Sequence, residues 1–297
     1  MVVAYRSSEC LRMCVEPLAG VDGVRVFVAD NGCPEDSTTT VADLPVEIVR
    51  MGGNHGFGAA CNVAAARGEG ETILFLNPDA QIEPDALGPL LRAARAGAGG
   101  PLITSGTDEI HLSVRRDPRL ASTFAEALFL HHLVPRASWA TELVRDGYDV
   151  CHPAEWLSGA ALCVDRAAFE RVGGFDERLF LYSEDADLCR RLRDAGYSVT
   201  FEPASVARHQ GGASAPAPGQ AALKAYARIR YARIHEHGLR YACFRIGFVL
   251  YELMRLPVAL GRSRPALRGR LAALRVTLGA RPQVPPSRAP ATTVPTG

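Results

Sequence analysis

The chain has 297 residues, 47% hydrophobic and 22% charged, which is enough apolar material for a sizeable core and excludes a globally disordered chain. The net charge of +1 conceals an asymmetry: residues 219–281 carry thirteen Lys/Arg against two Asp/Glu, leaving 20 basic and 30 acidic residues elsewhere. An acidic body suits a bound cation and a basic C-terminal segment suits an anionic surface. No charge-free apolar run approaches the ~18 residues of a membrane-spanning helix, and the opening on a strand-like run without a leader is the pattern expected of a cytoplasmic protein. Eight cysteines (Cys10, Cys14, Cys33, Cys61, Cys151, Cys163, Cys189, Cys243) form no CxxC pair, so reduced thiols are expected rather than disulfides or a zinc site.

In chain order, the apolar runs at 2–5, 24–29, 46–49 and 72–76 read as strands, and the spacing over 8–18, 57–67 and 84–96 reads as helices. This alternation predicts an α/β fold, a mostly parallel Rossmann-like sheet flanked by helices, with ligands at the carboxyl ends of its strands. The segments after Tyr5, Ala29 and Leu76 are thereby nominated. Over 104–155 the pattern weakens to a looped insertion with one helix candidate at 120–133. It returns with a strand at 156–164, helices at 167–172 and 183–195, and a strand at 197–202. After Pro216 the sequence is basic and helix-rich, and its Pro/Thr-rich end has the composition of a disordered tail. The implied organisation is a body at 1–218, a basic helical extension at 219–281 and a tail at 282–297.

Four segments carry chemistry. In Phe75-Leu76-Asn77-Pro78-Asp79 a buried strand ends and delivers Asp79 to the sheet edge, where hard cations such as Mg2+ or Mn2+ take carboxylate and phosphate oxygens. The same residues also read as a plain turn before a helix. In Asn54-His55-Gly56-Phe57-Gly58-Ala59-Ala60-Cys61-Asn62, glycines at a helix start either let backbone amides approach a phosphate or form a tight turn. Gly173-Gly174-Phe175-Asp176-Glu177 leads to Tyr182-Ser183-Glu184-Asp185-Ala186-Asp187-Leu188. Ser183 is an N-cap candidate there, and Asp187 can pair with Arg191 on the helix surface. Glu184 and Asp185, in the first turn, face whatever lies before the helix, and the helix dipole keeps a carboxylate ionised as a general base requires. His209, in Ala207-Arg208-His209-Gln210-Gly211-Gly212, reads as a packed histidine or as a further cation ligand.

Together these segments resemble the family-2 inverting glycosyltransferases of the GT-A fold, and among them the bacterial rhamnosyltransferase-like branch. The matching pieces are Val2-Val3-Ala4-Tyr5, Ala29-Asp30-Asn31-Gly32, 54–62, 75–79, Ser158-Gly159-Ala160, 173–188 and 209–214, in order over about two thirds of the chain. The resemblance implies transfer from a nucleotide-diphosphate donor, dTDP-rhamnose-like or a UDP-sugar, to a hydroxyl of a sugar, lipid-linked or natural-product acceptor. It implies Asp185 as general base, Glu184 orienting the acceptor, and Asp79 with His209 holding Mg2+ or Mn2+. Tyr5, Arg6, Asp30, Asn54, Gly56, Phe57, Gly58, Asn62, Asn77 and Asp79 would contact the nucleotide sugar, and Trp156, Ser158 and Gly159 the acceptor. Three departures stand out. Asn77-Pro78-Asp79 lacks a first acid, Arg6 stands where Asn is usual, and Asp30-Asn31-Gly32 continues into Cys33-Pro34 rather than small polar residues.

The run 242–256 is apolar yet punctuated by charge. It reads as a buried helix packed on the body, or as an in-plane helix at a membrane, supported by the Arg-rich stretch to Arg281. The second reading gives a cytoplasmic protein held peripherally at the inner face of the cell membrane through 242–281. No basic-aromatic module points to nucleic acid. Two other classes stay open: a noncatalytic nucleotide-sugar-binding or membrane-associated scaffold of the same fold, and a nucleotidyltransferase, for which no Gly-rich basic triphosphate loop is present.

Overall fold

The computed structural model describes residues 1–32, 36–210 and 217–282. The expectations at Cys33-Pro34, at 211–214 and for the tail beyond 282 lie outside these residues. The chain runs β1 (Val2–Ala4), α1 (Leu11–Val15), β2 (Val26–Asp30), β3 (Val46–Arg50), α2 (Phe57–Ala65), β4 (Thr72–Leu76), β5 (Ala80–Ile82), α3 (Pro84–Ala94) and β6 (Gly97–Thr104). It continues with β7 (Val114–Arg115), α4 (Leu120–Ala127), β8 (His152–Pro153), β9 (Trp156–Leu157), β10 (Ala161–Asp165), α5 (Arg166–Arg171), α6 (Glu184–Asp194) and β11 (Ser198–His209). Three helices follow: α7 (Ala217–His235), α8 (Gly238–Arg262) and α9 (Arg264–Thr277).

Nine strands form one sheet in the order β3-β2-β1-β4-β10-β6-β11-β5, with β8 also on β11. β3, β2, β1 and β4 pair in parallel, so Ala4, Asp30, Arg50 and Leu76 end on one edge. β10 runs against both β4 and β6, and β6 is parallel to β11. Six of the nine strands therefore share a direction, and β10, β5 and β8 oppose it.

Both faces of this sheet are covered, and alternate residues of each strand go to opposite sides. Phe27, Ile73, Phe75 and Leu162 pack with Ala60 and Ala64 of α2 and Leu188 and Leu192 of α6. Val28, Leu76 and Cys163 pack with Leu11 of α1 and Leu90 of α3. Phe75 sits centrally against the rings of Phe169 and Phe175, at 5.2 and 4.9 Å. Truncating such a side chain to Ala costs about 3–5 kcal/mol. Cys10, Cys14, Cys61, Cys163 and Cys189 are buried and unpaired. Burial pushes the Cys163 thiol up to about 12, the behaviour of a core residue rather than a nucleophile.

Three expectations need correction. The strand expected over 156–164 is broken at Ser158-Gly159: β9 joins β7 in a separate two-stranded sheet, and β10 enters the main one. The helix expected over 120–133 stops at Ala127, and Phe129 follows in a left-handed conformation at φ 60°. Asp187 and Arg191 do pair, at 2.7 Å, but Asp187 is fully buried rather than on the helix surface. Its second oxygen accepts from His235 at 2.8 Å, which ties α6 to α7.

α7, α8 and α9 share a small core of Ala225, Ile229, Phe244, Phe248, Ala273 and Val276. α8 rests on α4 where Gly247 lets Thr123 approach; a Cβ there would lie 2.7 Å from the threonine methyl. α8 is two-sided. Phe244, Phe248, Glu252 and Ala259 are buried, whereas Leu239, Ile246, Leu253 and Leu260, seven residues apart, are all exposed. No helix among the described residues is long and apolar enough to cross a membrane.

Candidate active site

The carboxyl edge of the parallel strands is built around two asparagines. Asn31, just after β2, donates to Asn54 Oδ1 at 3.0 Å and to the Gly56 carbonyl at 3.2 Å, and accepts from the His55 amide at 3.0 Å. Asn54 accepts in turn from the Gly56 amide at 3.1 Å. Gly56 has φ 91°, and a Cβ on it would lie 2.3 Å from the Phe180 carbonyl oxygen. That oxygen accepts from the Phe57 amide at 2.9 Å. Gly58 packs on Phe175, and Asn62 is fully engaged with the 173–177 turn: it accepts from the Phe175 amide at 2.9 Å and donates to the Phe175 carbonyl at 2.9 Å. The 54–62 run therefore clamps α2 to the 173–180 loop. Gly58 and Asn62 both face that loop. Asp30 pairs with Arg50 at 3.0 Å, and Arg6, at φ 51°, lays its guanidinium over the Tyr5 ring.

The sheet register joins Asp79 to His209. β11 pairs antiparallel with β5 so that His209 lies opposite Ala80. His209 Nε2 then lies 3.1 Å from Asp79 Oδ1 and 3.5 Å from Asn77 Nδ2. The Asp79 carboxylate is almost entirely buried. The Asn77 amide donates to the Ala160 carbonyl at 2.9 Å, which links this pair to the break between β9 and β10.

At that break stands Asp185. Its Oδ2 accepts from the Gly159 amide at 2.9 Å and its Oδ1 from the Ala186 amide at 2.8 Å. Gly159 is needed for this approach, since a Cβ there would sit 3.2 Å from Asp185 Cβ. Burial pushes the Asp185 carboxyl up, opposed by the two amides and the positive charge of Arg115. Glu184 is pushed well up by burial and by the neighbouring Asp185 charge, and its Oε2 makes no hydrogen bond. Ser183 does not cap α6 as its type suggested. It and Tyr182 both adopt positive φ, 66° and 70°, and its hydroxyl makes no capping bond.

Asp185 opens onto a cavity of about 1130 Å3 between the sheet edge and α7–α9. Phe57, Asn77, Trp156, Ser158, Gly159, Glu184 and His209, all singled out by sequence, line it as well. Arg115 and Lys224 line it and were missed. Arg115 falls in the weakly patterned insertion, whereas Lys224 had a readable signal: it is the one lysine in the chain.

Residues 1–130 match the sequence profile described as Glycosyl transferase family 2. An N-acetylglucosaminyl-diphospho-decaprenol L-rhamnosyltransferase of Mycobacterium tuberculosis is 36% identical over 204 residues. Over residues 1–130 the chain is similar to glycosyl transferase family 2. The mycobacterial match covers 63% of this chain and 66% of the relative, just under two thirds of its length. Rhamnosyltransferase WbbL of Escherichia coli K12 is 32% identical over 53% of this chain and 62% of its own. Among solved structures, GalNAc-T7 with UDP, GalNAc and Mn2+ superposes with a TM-score of 0.57 at 15% identity, over 92% of this chain and 54% of that one. A mannosyltransferase of Pyrobaculum calidifontis, in complex with GDP-Man and Mn2+, gives 0.55 at 14%, over 94% and 86%. These last two likenesses show the fold, which is GT-A.

Proposed function

We propose that this chain is an inverting glycosyltransferase of family 2 that moves a sugar from a nucleotide-diphosphate donor, dTDP-rhamnose-like or a UDP-sugar, to a hydroxyl of a lipid-linked acceptor. The observation that carries this reading is the hydrogen-bonded seam from Asp79 and His209 through Asn77 and Ala160 to Gly159 and Asp185. It links His209, which lines the cavity and contacts the buried Asp79 carboxylate, to Asp185, a lining carboxylate with a raised pKa. Asp185 takes the acceptor hydroxyl proton as that oxygen bonds to the anomeric carbon. The bond from that carbon to the diphosphate breaks, and the electron pair leaves with the nucleoside diphosphate. A single displacement inverts the anomeric centre.

Asp79 and His209 suit a divalent cation of the Mg2+ or Mn2+ type. One carboxylate and one imidazole converge within 3.1 Å, and no third His, Cys, Asp or Glu joins them among the described residues. Few protein ligands, with the rest from phosphate and water, is the habit of such ions. Bound there, the ion would offset charge on the departing diphosphate. The lipid-linked acceptor is suggested by the mycobacterial relative's decaprenol-diphosphate substrate. It is suggested also by the exposed apolar stripe of α8, which we read as resting on the membrane surface. Between 238 and 281 the chain has nine arginines and one acid, the buried Glu252, so this region favours anionic lipid.

The test is transfer of radiolabelled sugar to a GlcNAc-diphospho-prenol. Asp185→Asn should lower kcat by on the order of 10²–10⁴ and leave donor binding intact. EDTA should stop turnover and Mn2+ restore it. Full activity of Asp185→Asn would sink the base assignment, and undiminished turnover in EDTA the metal.

A further inference from the structure

We propose that Arg115 and Lys224, which line the cavity, form an anion subsite for the diphosphate of the acceptor. This rests on the acceptor class proposed above and adds the residues that hold it. Three of the cavity's arginines are engaged by the protein itself. Arg228 pairs with Glu126 at 3.4 Å and Arg270 with Glu252 at 3.2 Å. Arg255 donates to the carbonyls of Tyr251 and Glu126 and lies 3.5 Å from the centre of the Tyr251 ring. Arg115 and Lys224 differ. Among the described residues neither forms an ion pair, and each lies over an aromatic face: Arg115 over Trp156 at 5.4 Å and Lys224 over Tyr182 at 5.2 Å. The Trp156 ring is fixed by its own N–H donating to the Arg116 carbonyl at 2.8 Å.

The acid nearest in character is Glu142, which also lines the cavity, and burial pushes its carboxyl up towards the neutral form. The Lys224 ammonium is pushed down by burial and by the positive charges of Arg115, Arg228 and Arg270. Clustered, partly desolvated cations that form no ion pair favour a multivalent anion. Arg115 also acts electrostatically on Asp185, so an anion held here lies close to the base. A sugar linked to that anion would reach Asp185 with a hydroxyl, while Phe244, Phe248 and Val258 line the cavity beyond as apolar surface for a prenyl chain.

Lys224 offers a direct readout. It is the one lysine of the chain, and the Met1 ammonium is buried and donates to the Leu74 carbonyl at 2.8 Å. An N-hydroxysuccinimide acetate pulse, read by mass spectrometry, therefore reports on a single accessible amine. EDTA is present to suppress cation-dependent binding on the donor side. Geranyl diphosphate should slow acetylation about tenfold, one decade of occupancy, and geraniol should not. Arg115→Ala should abolish the protection and Arg115→Lys restore part of it, while Asp79→Asn leaves it in place. Equal acetylation with and without geranyl diphosphate, or protection lost in Asp79→Asn but kept in Arg115→Ala, overturns the subsite. The readout needs no sugar transfer. Protection without transfer would fault the proposed activity, and transfer without protection would fault the subsite alone.

Discussion

Asp185 and Glu184 are adjacent carboxyls whose surroundings separate their roles. Asp185 holds two backbone amides, which favour its ionised form against burial; Glu184 has one oxygen with no hydrogen bond and the Asp185 charge beside it. A base must be ionised, so lowering the pH through the raised Asp185 pKa should remove activity. The acid limb of kcat/KM is expected above the ~3.9 of an ordinary Asp. A pH-rate profile falling only at that ordinary value would contradict the burial argument. For Glu184 the sign is opposite to that of a salt-bridged acid. The folded state binds its proton more tightly than the unfolded state. Its contribution is therefore full below the unfolded value and lost as pH rises through the raised folded one. Glu184→Gln should melt higher than the parent at pH 8, by about 2–4 °C per kcal/mol recovered, with the gap closing towards pH 5. Thermal melts across that range check it. Such a gain, joined to slower transfer, would place the cost of the buried acid at the site's own door.

At the scale of elements, legibility followed side-chain patterning. β1 to β4 and α2, α3, α5 and α6 were readable because their apolar residues recur at the right period. β6 was not, because Gly97-Ala98-Gly99-Gly100-Pro101 has the composition of a turn. The glycines are there because the strand is pressed from both sides. A Cβ on Gly99 would lie 3.0 Å from Ala93 Cβ, and one on Gly100 2.9 Å from a Leu157 methyl. The 158–159 break was hidden for a related reason: nothing in the local pattern says that Gly159 must admit a carboxylate arriving from α6. The site's residue types were visible in sequence, but the Asp79–His209 contact depends on β11 running past its irregularity between Glu202 and Val206. α8 supplies the prediction proper to this scale. Ile246→Asp with Leu253→Asp places charge on the exposed stripe, and should release the protein from anionic vesicles in co-sedimentation while its far-UV circular dichroism stays unchanged. Retained vesicle binding, or a change of oligomeric state instead, would reassign that face.

Over the whole molecule, the C-terminal helices are held to the body by a small number of polar contacts as well as by packing. Asp187 is fully buried between Arg191 of α6 and His235 of α7. Removing one partner of a buried charge costs more than the contact contributes, because the other is left unmatched. His235→Ala should therefore lower the denaturation midpoint by the equivalent of about 1–3 kcal/mol. It should also speed proteolysis of α7–α9 relative to the sheet, since the cavity roof loses its tie. A midpoint within error of the parent would show the packing of α8 on α4 to be sufficient. Because Lys224 lies on α7, a loosened roof should also weaken the geranyl diphosphate protection described above.

The position of β10 has a consequence for how the chain is made. It lies between β4 and β6, yet it is synthesised some eighty-five residues after β4. Until it arrives, the four leading strands end in a bare apolar edge, which is a template for pairing with other chains. The stretch 1–130 that carries the family profile stops short of β10. Expressed alone it should go to inclusion bodies, whereas extension through His209 should return it to the soluble fraction. On the ribosome, the same delay makes the nascent chain a client for chaperones over the interval between those two strands.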